Sequence, residues 1–136
     1  MKQADLIEST NIPAKLVRAV VRQIGGWPEF EEHAEDIARN SADAGWSGFT
    51  YYSDTVPFTV RNKAAIMDYV KQLANDLGEP SSLTLIASFR CLDMTPEDVA
   101  EAIYNPRSEN RTEVFNALAW FALEEVARAY ADAKEQ

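Results

Sequence analysis

His33 is the single histidine of the chain, four residues after Glu29 and three before Asp36. On a helix this spacing gathers all three onto one face. An imidazole among carboxylates can bind a divalent cation or pass a proton. Two-metal helical bundles, however, place a glutamate three residues before the histidine, and here that position is Phe30. A second matching helix is missing too. His33 therefore reads as a solvated histidine beside carboxylates, with no metal and no cofactor implied.

Other catalytic signatures are weaker. Cys91 is the only cysteine. No partner marks it as a nucleophile, and a lone thiol is more often buried. Gly45-Trp46-Ser47-Gly48 begins like a serine elbow, but the second glycine comes one position early. No phosphate loop or dinucleotide fingerprint is present. The 22 acidic residues leave no particular carboxylate pair singled out. The expectation is a protein that is not an enzyme; a small carboxylate and histidine enzyme centred on His33 is the weakest alternative.

Charge points to binding instead. The net charge is −9, and a field of that sign repels nucleic-acid phosphates unless basic residues cluster. Direct nucleic-acid binding is disfavoured, and a basic protein surface is the favoured partner. The acids are concentrated in Glu29, Glu31, Glu32, Glu35 and Asp36, and again in Asp93, Glu97, Asp98 and Glu101. Such arrays can imitate phosphate charge in a basic groove. The alternative is a merely solvated face, or pairing of the first group with Lys15, Arg18 and Arg22. Trp46, Phe49, Tyr51 and Tyr52 form an aromatic segment that could anchor an interface or plug the core. Trp46 and Tyr52 are the ones expected to stay partly exposed. Trp46, Tyr51 and Tyr52 join the acids as candidate partner-binding residues.

The elements that must position these residues are helical. Pro13 to Ile24 places Leu16, Val17, Val20, Val21 and Ile24 on one face, with Asn11 as a cap and Gly25-Gly26 as the stop. Pro28 to Asn40 follows, with an apolar stripe of Phe30, Ala34, Ile37 and Ala38. Residues 46–52 are expected to hold one short extended segment, because glycines break helix and aromatics favour extended backbone. A short helical turn from Asp54 or Thr55 runs through Pro57 and Phe58. Asn62 to Leu77 makes a strong helix with Ile66, Met67, Val70, Leu73, Ala74 and Leu77 inward, stopped by Gly78. Residues 82–89 fit a strand or a helix, and Ser81 as a cap tips them to helix. Thr95 caps the next helix with Pro96 in its first position, Val99, Ala102 and Ile103 inward, and Asn105-Pro106 beyond it. Glu113 to Ala133 is the last, burying Val114, Phe115, Leu118, Phe121, Ala122, Val126 and Tyr130.

The expected fold is thus mainly α: a single domain over residues 1–136, of five or six helices with one short extended segment. Its length suits one domain with a sizeable core. About eight residues at the start and four at the end are expected to fray. The lone cysteine suits a reducing compartment. No apolar run is long enough for a membrane span, and no signal-peptide core follows Met1. The cytoplasm of a host cell is the expected location.

The stretch from Gly45 through Trp46, Phe49, Tyr51 and Tyr52 to Thr55, with its following helix, resembles small proteins of phages and mobile elements. Ser88-Phe89-Arg90-Cys91-Leu92 and Thr95-Pro96-Glu97-Asp98-Val99 extend the resemblance, which covers the chain from about Ala42 onward. In general character such proteins are similar to anti-CRISPR and anti-restriction inhibitors. The resemblance transfers no catalytic residue. It implies a stoichiometric inhibitor of a nucleic-acid-targeting defence complex. A phage or plasmid adaptor or oligomer subunit is the runner-up.

Overall fold

The computed structural model describes residues 1–40 and 45–135, apart from the side chain of Cys91. The expectation of a buried Cys91 thiol therefore falls outside the described residues. Every regular element among those residues is helical, and seven α-helices are present rather than five or six. They are α1 (Gln3–Ser9), α2 (Ala14–Ile24), α3 (Trp27–Asn40), α4 (Tyr52–Leu77), α5 (Ser82–Ser88), α6 (Pro96–Tyr104) and α7 (Arg111–Lys134). A single 3-10 turn, Phe89–Cys91, follows α5.

Helix α7 is the hub. Its apolar residues are not confined to one stripe: Val114, Phe115, Leu118, Trp120, Phe121, Leu123, Val126 and Tyr130 are all buried. Four alanines interleave them, at 117, 119, 122 and 127, and small side chains let neighbouring helices come close. Helices α1, α2, α3, α4 and α6 each pack on α7. A helix that is apolar nearly all round belongs at the centre of a core.

Helix α1 accounts for the additional helix, and α4 is longer than expected. Helix α1 occupies the segment expected to fray. It is closed by the Lys2 N–H donating to the Asp5 carboxylate at 2.8 Å and held by Leu6, which is fully buried. Helix α4 joins the short turn at Pro57 to the strong helix after it. Pro57 withholds one N–H from the helix, but Thr55, Phe58 and Thr59 around it are buried. The Thr59 hydroxyl donates to the Phe115 carbonyl at 2.7 Å, and the Thr55 hydroxyl to Asn116 Oδ1 at 2.7 Å. These cross-links to α7 hold the chain helical through the proline.

The extended segment expected near residues 46–52 is instead a turn, and Tyr52 is already helical. Phe49 is the cause: it is fully buried, edge-on to Phe58 at 5.3 Å and to Trp120 at 6.2 Å. Gly48 makes the inward bend with φ +77. The Gln23 side-chain amide clamps the turn, donating to the Gly48 carbonyl at 2.9 Å and the Asp54 carbonyl at 3.3 Å.

Other expectations meet mixed outcomes. Helix α2 starts with Pro13 at its cap position, not Asn11, and Gly25 ends it in the left-handed conformation. Gly78 ends α4 in the same way. Leu77 does not face inward: it is exposed, one turn past Ala74. Residues 82–88 are helical, and Ser81 Oγ accepts the Thr84 N–H at 3.1 Å. Thr95 caps α6 as expected, and Asp98 adds a reciprocal contact to the Thr95 N–H.

Candidate functional site

The five acids of α3 do not form one face. Glu31 and Glu29 are two residues apart and so about 200° round the helix from each other. Glu31 turns onto α7, where its carboxylate accepts the Tyr130 hydroxyl at 3.3 Å. Glu35 is one turn further along, 3.1 Å from Lys134 Nζ and 3.5 Å from Arg39. These two acids are absorbed by the α3–α7 junction. Beneath them Trp27, Phe30 and Tyr130 pack with ring centroids 5.4–5.8 Å apart. Burial, followed by the Glu31 charge, raises the Tyr130 phenol above its ordinary pKa. A hydrogen bond and charge from Glu35 raise the Lys134 ammonium.

Glu29, Glu32 and Asp36 make up the outward row, and all three are exposed. Asp36 also accepts the Asn40 side-chain amide. His33 borders this row, 3.7 Å from Glu29, with its ring 5.4 Å from that of Trp46. One donor atom each from Glu29, Glu32 and His33 lies within 4.8 Å of the others. The set could reach a divalent cation, although the sequence reading gave it none. Trp46 is partly buried against His33, and its indole N–H is enclosed with no hydrogen-bond partner among the described residues.

Asp93, Glu97, Asp98 and Glu101 are exposed along and just before α6. Asp98 is partly occupied as a cap, accepting the Thr95 N–H at 3.4 Å. This second acidic group is separate from the first, since α6 packs on α5 and α7 while α3 packs on α2 and α7. Tyr51 and Tyr52 open α4 and are 69% and 55% exposed, far more than Trp46 or Phe49.

Lys15, Arg18 and Arg22 do not neutralise the acids of α3. All three are exposed, and among the described residues no acidic side chain pairs with any of them. Shallow grooves flank them. One is lined by Arg18, Arg22, Gly25, Gly26 and Trp27, the other by Lys15, Arg18, Ala19, Arg22 and Asn62.

A further polar cluster lies where α7 meets the turn after α5. Arg90 Nη1 is 3.0 Å from Glu124 Oε1, and its guanidinium stands 4.6 Å over the Trp120 ring. Arg128 reaches Glu125 at 3.0 Å and Glu124 at 3.8 Å. The Tyr69 hydroxyl donates to Glu125 at 3.0 Å, and burial together with that carboxylate raises the phenol's pKa. Phe89 stacks on Phe121 at 4.3 Å beside these groups. The cluster is largely self-neutralising, so its clearest task is to fasten the turn to α7. The sequence carried one signal for it: Glu124 and Glu125 are adjacent acids that directly follow the apolar run 117–123 of α7.

No helix among the described residues is long and apolar enough to cross a membrane. No curated protein and no solved structure matches the chain. A family model described as a domain of unknown function, DUF7222, matches residues 11–136, and the chain belongs to that family.

Proposed function

We propose that the chain is a stoichiometric inhibitor, anti-CRISPR-like in character, of a nucleic-acid-targeting host defence complex. It acts by laying acidic surface into a basic groove of that complex. The observation that carries this reading is the outward row Glu29–Glu32–Asp36, which is exposed and, among the described residues, meets no lysine or arginine; its one basic neighbour is His33, 3.7 Å from Glu29. Carboxylates left to solvent on one helix face keep their charge for an incoming lysine or arginine. Charge complementarity of that kind sets encounter rate and specificity. Tyr51 and Tyr52 supply the exposed aromatic surface on which interface hot spots are built. Glu97 and Glu101, one turn apart on α6, offer a second acidic contact.

The test is titration of the chain into a guide-loaded CRISPR effector, reading target cleavage and binding. Glu29→Lys, Glu32→Lys and Asp36→Lys together are expected to weaken binding about tenfold or more. The remaining binding should depend less on salt. Glu31 and Glu35 are the wrong residues to reverse, since both serve α7. Inhibition unchanged by the triple reversal would sink the proposal.

A second reading, a small carboxylate and histidine enzyme, is favoured only by the Glu29, Glu32 and His33 donors. Metal analysis of the purified chain, together with the phenotype of His33→Ala, decides it.

A further inference from the structure

Lys15, Arg18 and Arg22 stand at positions i, i+3 and i+7 of α2, and Glu29, Glu32 and Asp36 stand at i, i+3 and i+7 of α3. At the rise of an α-helix, each row steps by about 4.5 Å and then about 6 Å. The rows therefore carry opposite charges at the same intervals. All six residues are exposed. Although α2 and α3 touch within the chain, no ion pair among the described residues joins one row to the other.

We propose that the basic row of α2 docks on the acidic row of α3 of a second copy. Laid parallel, the two helices bring Lys15 to Glu29, Arg18 to Glu32 and Arg22 to Asp36. Each copy carries both rows, so the contact either closes into a symmetric pair or propagates head to tail. This self-association is independent of the inhibitor reading, because it needs no target. It would nonetheless occupy the same α3 row.

Nucleic acid is the other candidate for the basic row, and the molecule's overall charge disfavours it. Phosphates approaching Lys15, Arg18 and Arg22 meet the field of a chain carrying −9. A second copy meets the same repulsion, but it presents its carboxylates at the matching intervals, and salt distinguishes the two ranges. At about 0.01 M salt the Debye length is about 30 Å, and whole-molecule repulsion operates. At about 0.1 M it is about 10 Å, so distant charges are screened while paired groups still attract. At about 1 M it is about 3 Å, and the pairs weaken too. Association is therefore strongest at intermediate salt. Exposed ion pairs contribute little individually, so the complex is weak and concentration-dependent.

Sedimentation equilibrium across these salt concentrations tests the proposal. The wild-type mass is expected to rise above the monomer near 0.1 M salt and return towards it at both extremes. Arg18→Glu with Arg22→Glu should stay monomeric, as should Glu32→Arg with Asp36→Arg. An equimolar mixture of these two variants should associate again, because each supplies the charge that the other now needs. Circular dichroism confirms that both variants keep their helices, and the milder Arg18→Gln with Arg22→Gln replaces the first if it does not. A wild type that is monomeric at every salt overturns the proposal. So does association that the reversals leave intact, or a mixture of folded variants that fails to associate. A monomeric chain whose α2 row instead retards an oligonucleotide assigns the row to nucleic acid and overturns it as well.

Discussion

The guanidinium of Arg90 lies 4.6 Å over the indole of Trp120 while one of its nitrogens sits 3.0 Å from Glu124. Arg90 makes both contacts from a left-handed backbone, with φ 47 and ψ 34. That conformation costs a non-glycine residue about 1 to 2 kcal/mol. Arg90→Ala removes the stacking and the ion pair but keeps the backbone strain, and should lower unfolding free energy by about 2 to 4 kcal/mol. Arg90→Gly loses the same contacts and relieves the strain, so it should be no more destabilising than the alanine. Urea denaturation of the two variants measures the difference.

The division of α3 is open to the same measurement. Glu31→Lys brings a cation to the Tyr130 hydroxyl in place of its acceptor, and Glu35→Lys sets two ammonium groups together at Lys134. Both should lower thermal stability. Glu32→Lys and Asp36→Lys lie on the outward row and should change it by no more than about 0.5 kcal/mol. Equal effects in all four variants would mean that the acids share one environment after all.

Tyr69 and Tyr130 make stability sensitive to alkali. Burial, helped by Glu125 in one case and Glu31 in the other, raises both phenols. An unfolded phenol loses its proton near pH 10. Above that value the unfolded chain has released protons that the folded chain still holds. Stability is therefore intact below about pH 10 and falls as pH rises beyond it. Urea midpoints at rising pH should show the fall, and Tyr69→Phe should make it shallower. A midpoint that is flat through this range would contradict the arrangement at Glu125.

Gly48 tolerates no side chain. A Cβ there would stand 2.0 Å from the Gln23 carbonyl oxygen, at a φ of +77 that alone disfavours other residues. Gly48→Ala should cost at least about 1 to 2 kcal/mol from the backbone term, with the clash added to it. It should also loosen Phe49, whose seat against Trp120 can be followed by tryptophan fluorescence.

Much of the fold was legible because several helices announce their ends. Gly25, Gly78, Ser81 and Thr95 act in the structure as the stops and caps that their types suggest. Helix α1 was not legible: it is seven residues long and buries only Leu6. The short turn through Pro57 and Phe58 read as separate from the helix at Asn62, because the threonine bonds that hold the two as one helix go to α7 residues more than fifty positions away. The acidic concentration of α3 was legible, but its division was not, although the angle between Glu29 and Glu31 already implied two directions. The left-handed Arg90 has no local signal, and the ring and carboxylate it meets lie on a different helix.

Helix α7 holds a last consequence. It is the element on which five other helices converge, and it follows all of them in the chain. During synthesis, which proceeds from the N-terminus, those helices emerge before the element that buries much of their apolar surface, and until Arg111–Lys134 leaves the ribosome they have only one another, as α2 has α3 and α4. Completion of the core is then expected late, once α7 is available. A nascent chain stalled before α7 is a client for chaperones, and the same segment supplied separately should act as the missing piece that completes it.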